Sequence, residues 1–228
     1  MSTQTPVPEE MVVLLHGIGR SSGSMKAVAA HLADPTTDRG YAILNVDYPS
    51  RSQSIEDLAA GLHQQLLSEG ASSVSKLHFV THSMGGLLVR ELVKQSRPKN
   101  LGRVVMLAPP NQGSEVADFL AGNFLFKMIY GPAGQDLKTG NEAFGAVDFP
   151  LGVIAGTTSI DPISSFILTG PNDGKVTVEN TKVDGMADHL TLPVNHTFLM
   201  RNKTVLKQVA LFLATGAFDH DLNRAKIV

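Results

Sequence analysis

Thr81-His82-Ser83-Met84-Gly85-Gly86 sits where the sequence changes period. Before it, residues 77–81 (LHFVT) form a short, mainly apolar run of the kind that fills a strand. After it, residues 84–94 place leucine and valine at helical spacing and stop ahead of Pro98. A serine at such a strand-to-helix turn has its hydroxyl lifted clear of the sheet, and its neighbours two residues away must be small because the chain reverses so tightly. Gly85 meets that need downstream, whereas the upstream position holds the bulkier Thr81. Read alone, Ser83 could also be no more than the N-cap of the helix that follows it.

The same strand, loop and helix unit recurs on either side. Residues 11–15 (MVVLL) read as a strand buried on both faces, and the loop His16-Gly17-Ile18-Gly19 ends it. Ser21 and Ser24 offer N-caps for a helix carried by Met25, Val28, Ala29 and Leu32 and stopped at Pro35. Residues 41–46 repeat the strand signal, and Ile55, Leu58, Leu62, Leu66 and Leu67 make the apolar stripe of another helix, closed by Gly70. Further strands are predicted over 104–107, 151–155 and 190–192, with a last helix around 205–212. Alternation of this kind predicts an α/β fold: a mostly parallel sheet of about six strands with helices on both faces. Residues 113–149 break the rhythm. The segment is too long for an ordinary connection and carries Phe119, Phe124, Phe126 and Tyr130, so it reads either as a cap or lid insertion or as a surface helix that completes the core.

With 228 residues, 43% of them hydrophobic, the chain can bury one substantial core, and a single domain over 1–228 is expected. A net charge of -2 with no basic stripe argues against a nucleic-acid partner. The absence of cysteine excludes disulfides, thiolate metal sites and a cysteine nucleophile. No His-x-x-x-His cluster suggests a metal, and no cofactor is expected. Residues 1–10 lack the basic start and apolar run of a secretory signal, which points to the cytoplasm. No apolar run approaches the roughly 20 residues of a membrane span, so no stable membrane insertion is expected.

The His-Ser-Met-Gly-Gly turn at Ser83 and the His-Gly loop at His16 together resemble the nucleophile elbow and oxyanion motif of the α/β-hydrolase superfamily, in particular its small bacterial lipases and esterases. The resemblance implies an α/β-hydrolase fold with Ser83 as nucleophile and the backbone N–H groups of Ile18 and Met84 as the oxyanion hole. It puts the general base after the last strand, where His196 in Leu-Pro-Val-Asn-His fits. His189, just before that strand, and His220, in the charged tail, read instead as solvated surface groups. His16, Gly17 and His82 flank the site and are expected to line the substrate pocket. The acid should follow the 151–155 strand. Asp173 resembles the acid in the Asp-Gly-x-Val segment of several lipases. Asp161, followed by Pro162, is the alternative, and Glu115 ranks third. The order Ser83, Asp173, His196 is that of the family, and residues 107–114 (LAPPNQGS) are similar to a Pro-x-x-Gly-Ser stretch of bacterial triacylglycerol lipases.

The reaction so implied is hydrolysis of a small-molecule or lipid carboxylic ester through an acyl-enzyme. A thioesterase, amidase or lipid-acyl hydrolase with the same triad, or a non-catalytic binding protein on the same fold, remain alternatives.

Overall fold

The computed structural model describes residues 10–36, 40–112, 145–160 and 168–222. Six strands form one sheet: β1 (Glu10–Leu15), β2 (Ala42–Val46), β3 (Lys76–His82), β4 (Leu101–Leu107), β5 (Leu151–Gly156) and β6 (Asp188–Leu192). Their spatial order is β2-β1-β3-β4-β5-β6, and every neighbouring pair is parallel. The expected α/β fold is therefore present, with a sheet that is wholly parallel among the described residues.

Parallel strands need crossovers, and helices α1 (Lys26–Ala33), α2 (Ile55–Ser68), α3 (Gly85–Ser96) and α4 (Lys203–Thr215) divide between the two faces. Val13, Leu15, Phe79, Met106 and Val153 point to one face and pack with Leu58, Leu62 and Leu66 of α2 and Leu88 and Leu92 of α3. Val12, Leu14, Val80, Leu107 and Ile154 point to the other and pack with Val28 and Leu32 of α1 and Val205, Val209 and Phe212 of α4. Alternate residues of one strand thus feed two cores, which is why the strands are continuously apolar. Each fully buried leucine or valine stabilises the fold by roughly 1.5–3 kcal/mol relative to an exposed one.

Two local expectations are corrected. No side-chain cap starts α1; a 3-10 turn over Ser22–Met25 leads into it, with the Ser24 hydroxyl donating to the Ser21 carbonyl at 2.8 Å. The last strand begins at Asp188, so His189 lies within it and bonds the Thr181 hydroxyl at 2.9 Å instead of facing solvent freely. His220 is exposed as expected and pairs with Asp188 at 2.9 Å.

Residues 113–144 of the expected lid, with Glu115, and residues 161–167, with Asp161, lie outside the described residues. At the near ends of the first segment, the buried Arg90 of α3 donates to Asn111 Oδ1 at 2.9 Å and to the Gly145 carbonyl at 2.5 Å. No described helix is long and apolar enough to cross a membrane.

A parallel sheet directs all its strand C-termini to one edge, and the loops after β1, β3, β5 and β6 gather there. Open sheets of this type hold their ligands at that edge.

Candidate active site

Ser83 is the first residue beyond β3. Its N–H donates to the Leu107 carbonyl at 2.9 Å, continuing the β3–β4 ladder, while its own carbonyl accepts from Gly86 N–H at 2.9 Å. Between these bonds the chain must turn from strand to helix, and Ser83 takes φ = 53°, in the left-handed region. That conformation costs a non-glycine residue on the order of 1 kcal/mol and is retained where the surroundings impose it. Here α3 starts hard against the end of β1. A Cβ on Gly85 would lie 2.7 Å from the Leu15 carbonyl oxygen and 2.9 Å from that of His16, so only glycine fits. Thr81 is fully buried in β3, and its hydroxyl has no hydrogen-bond partner among the described residues.

The loop after β1 is braced from below. The fully buried His16 ring stacks on Tyr48 with centroids 4.0 Å apart, and Nε2 lies 3.2 Å from Asp47. The Tyr48 hydroxyl donates a short hydrogen bond to the His16 carbonyl. Burial holds the imidazole of His16 below its ordinary pKa and raises that of the Tyr48 phenol, so both stay neutral. Gly17 is pressed onto the serine: a Cβ there would stand 3.2 Å from Ser83 Cβ and 3.0 Å from His82 Nδ1. The N–H groups of Ile18 and Met84 donate to no other described residue. They are available to an acceptor from outside the chain.

Beyond β6, the backbone brings His196 back to Asp173. His196 Nδ1 lies 2.7 Å from Asp173 Oδ2, and the His196 N–H donates to the Asp173 carbonyl at 2.9 Å. Asp173 Oδ1 is taken by the N–H groups of Lys175 and Val176, each at 2.9 Å. An ionised carboxylate accepts only, so Nδ1 carries the proton, and in the neutral ring this tautomer turns Nε2 into an acceptor, the form a general base requires. Asp173 is 2% exposed, whereas Ser83 and His196 each keep 9%, so the acid is sealed while the other two reach solvent.

His82 connects the two halves. Its Nε2 lies 3.0 Å from the His196 carbonyl oxygen, and the two rings are tilted by 54° with centroids 4.7 Å apart. Burial above all pushes its pKa well below the usual histidine value, so the ring is neutral, and the bond to a carbonyl oxygen puts its proton on Nε2. Among the described residues no cluster of three or more His, Asp or Glu is arranged to hold a metal ion.

Of the residues expected from sequence, Ser83, His82, His16, Gly17, Ile18, Met84, Asp173 and His196 all stand at one sheet edge, His82 at the end of β3 and the others just beyond the strands. Three contributors were not read from sequence. Tyr48 braces His16. Gly156, the last residue of β5, has no room for a Cβ, which would collide with the Val194 carbonyl and lie 2.8 Å from Asp173 Cβ. Arg20 extends from the first loop, and its Nη2 donates to the Thr197 hydroxyl at 3.3 Å. A tyrosine, a glycine and an arginine carry no distinctive local signal; only the fold gives them neighbours.

A sheet that is wholly parallel among the described residues, with a serine at this turn and a histidine and aspartate on the later loops, defines an α/β-hydrolase fold. Solved structures agree on that fold. The chain is similar to the mature lipase BlEst2 of Bacillus licheniformis at 19% identity, with 93% of each chain covered and a TM-score of 0.67. It is similar to the phospholipase PlaB of Legionella pneumophila at 18% identity and TM-score 0.69, covering 92% of this chain but 57% of that one. The RedJ thioesterase of the Streptomyces coelicolor prodiginine pathway matches at 16% identity and TM-score 0.59 over 95% of this chain and 91% of its own. Comparison with curated protein sequences finds no match. The chain belongs to the family DUF7379, described as a domain of unknown function, whose model matches residues 2–129.

Proposed function

We propose that this protein is a serine hydrolase that cleaves carboxylic esters through an acyl-enzyme, with Ser83 as nucleophile, His196 as general base and Asp173 as the acid that orients His196. The observation that carries this reading is the 2.7 Å contact between Asp173 and His196 Nδ1, on the same sheet edge as a serine held at φ = 53°. A structural serine has no need of the left-handed turn, and a structural histidine has no need of a sealed carboxylate behind it.

In the proposed cycle Ser83 Oγ attacks the carbonyl carbon as its proton passes to His196 Nε2. The oxygen, now an anion, is met by the N–H groups of Ile18 and Met84, the second of which points out from the start of α3. The tetrahedral centre collapses, the C–O bond to the alcohol breaks, and His196 returns the proton to the leaving oxygen. Water then attacks the acyl-enzyme by the same route, giving the acid and free Ser83. Gly17 and His82 form the wall beside Ser83, and His16 acts through the loop it supports. Lipase, phospholipase and thioesterase occur among the structures of similar fold, which supports a carbonyl ester or thioester as the bond attacked.

The test is labelling with a fluorophosphonate probe alongside hydrolysis of p-nitrophenyl acetate and butyrate. Wild-type protein should label and turn over, and Ser83→Ala should do neither. Absence of labelling in the wild type would favour a non-catalytic binding protein, and unchanged hydrolysis by Ser83→Ala would remove Ser83 from the mechanism.

A further inference from the structure

Three arginines of the described residues are engaged by the fold. Arg97 pairs with Asp148 at 2.7 Å, Arg103 donates to the Leu213 and Ala214 carbonyls at the end of α4, and Arg90 is buried on Asn111 and Gly145. Arg20 differs. It stands on the loop that carries Gly17 and Ile18, and its N–H donates to the Gly17 carbonyl at 3.2 Å. Its guanidinium reaches across to Thr197, beside His196, at 3.3 Å, and it has no carboxylate partner among the described residues. A guanidinium offers five N–H donors, so most of them are left open at the rim of the site. Thr197 is the residue after His196, so this bond brings the guanidinium to the loop that carries His196. Arg51, also without a carboxylate partner among the described residues, lies against the same loop, with Cδ 3.7 Å from where a Cβ on Gly19 would be. Asp47, near the loop, is turned to His16 and to the Ser22 N–H, at 3.2 Å each.

From this arrangement we infer that the site takes acyl esters or thioesters whose leaving group carries a phosphate, held by Arg20. The inference rests on the hydrolase reading above. Direction follows from the chemistry: His196 hands its proton to the leaving atom, so the leaving group must lie on the side of His196, where Thr197 holds Arg20. A planar guanidinium grips a phosphate through paired N–H donors more firmly than a point charge can.

Two matched pairs test this on the full chain: 1-butyrylglycerol against 1-butyrylglycerol 3-phosphate, and S-butyrylpantetheine against S-butyryl-4′-phosphopantetheine. Wild-type kcat/KM should favour the phosphorylated member of at least one pair, on the order of tenfold and mainly through KM, and added salt should shrink the preference. The favoured pair tells a phospholipid-type from a carrier-type leaving group. Arg20→Met should collapse the ratio, and Arg20→Lys should keep part of it. Hydrolysis of neutral esters with no preference in either pair overturns the inference alone, as does an Arg20→Met protein whose ratio is unchanged, which would make Arg20 only a strap to Thr197. No hydrolysis of any substrate together with no fluorophosphonate labelling overturns the hydrolase reading as well.

Discussion

Nε2 of His82 donates to the carbonyl oxygen of His196 at 3.0 Å, so the residue that precedes the serine in the chain grips the backbone of the residue that follows the last strand. The span between them is 114 residues. The bond ties the backbone of His196 to the residue before Ser83, and positioning of this kind governs rate more than binding.

Replacing His82 should therefore act on kcat. His82→Phe fills a similar volume but cannot donate, and it is expected to lower kcat on the order of 10- to 100-fold with KM little changed. His82→Gln keeps a donor and should recover most of the rate. Steady-state kinetics on a short-chain ester decides, with thermal unfolding as the control. Equal kcat in both variants and wild type would reduce the contact to packing.

Asp173→Asn keeps an oxygen for the Lys175 and Val176 N–H groups but turns an amide N–H toward His196 Nδ1, where an acceptor stood. The imidazole is then driven to the wrong tautomer, with its proton on Nε2. We expect kcat to fall roughly 10³- to 10⁴-fold while the fold persists. A variant retaining near wild-type turnover would transfer the acid's role to another carboxylate.

Gly17→Ala puts a methyl 3.2 Å from Ser83 Cβ and 3.0 Å from His82 Nδ1. The loop must retreat by a few tenths of an ångström, and the Ile18 donor retreats with it. Fluorophosphonate labelling should slow on the order of 10-fold or more, as expected when one oxyanion donor is displaced. The melting temperature should drop much less than for Gly85→Ala, whose Cβ meets backbone oxygens at 2.7 Å and 2.9 Å and costs roughly 1–3 kcal/mol.

Stability should fall in mild acid. His16, His78, His82 and His189 all have pKa values lowered by burial from the 6.5 of a free side chain. Above that value neither folded nor unfolded chain binds these protons, and the neutral rings contribute their full share. As pH falls below about 6.5 the unfolded chain takes up protons that the folded one refuses, so the equilibrium moves toward unfolding. Urea denaturation at pH 7.5 and pH 5 should show a lower midpoint in acid, and His82→Gln should flatten that difference. A midpoint unchanged between the two would mean that these rings are protonated in the fold.

Much of this was legible in local pattern. The apolar runs, their spacing from helical stripes and the turn at Ser83 suffice for a parallel α/β sheet, because strand burial and helix amphipathicity are imprinted on consecutive residues. The candidate nucleophile could be named because it sits at a strand end in a short motif of its own, and the base and acid because their segments resemble those that carry these groups in lipases. The helix start at Ser21 and Ser24 was misread, because a serine favours an N-cap without compelling one and a 3-10 turn served as well. His189 was misread because the start of β6 rests on pairing with β5, which no local pattern reports.

What no run of residues could disclose is who meets whom at the sheet edge. Asp173 and His196 are 23 residues apart and touch only because Gly156 leaves room for Asp173 and the Val194 carbonyl. Arg20 and Thr197, 177 residues apart, meet because the loops after β1 and β6 turn toward the same edge. Periodicity is a property of neighbours in the chain, whereas a site is assembled from the ends of strands, and only their packing brings those ends together.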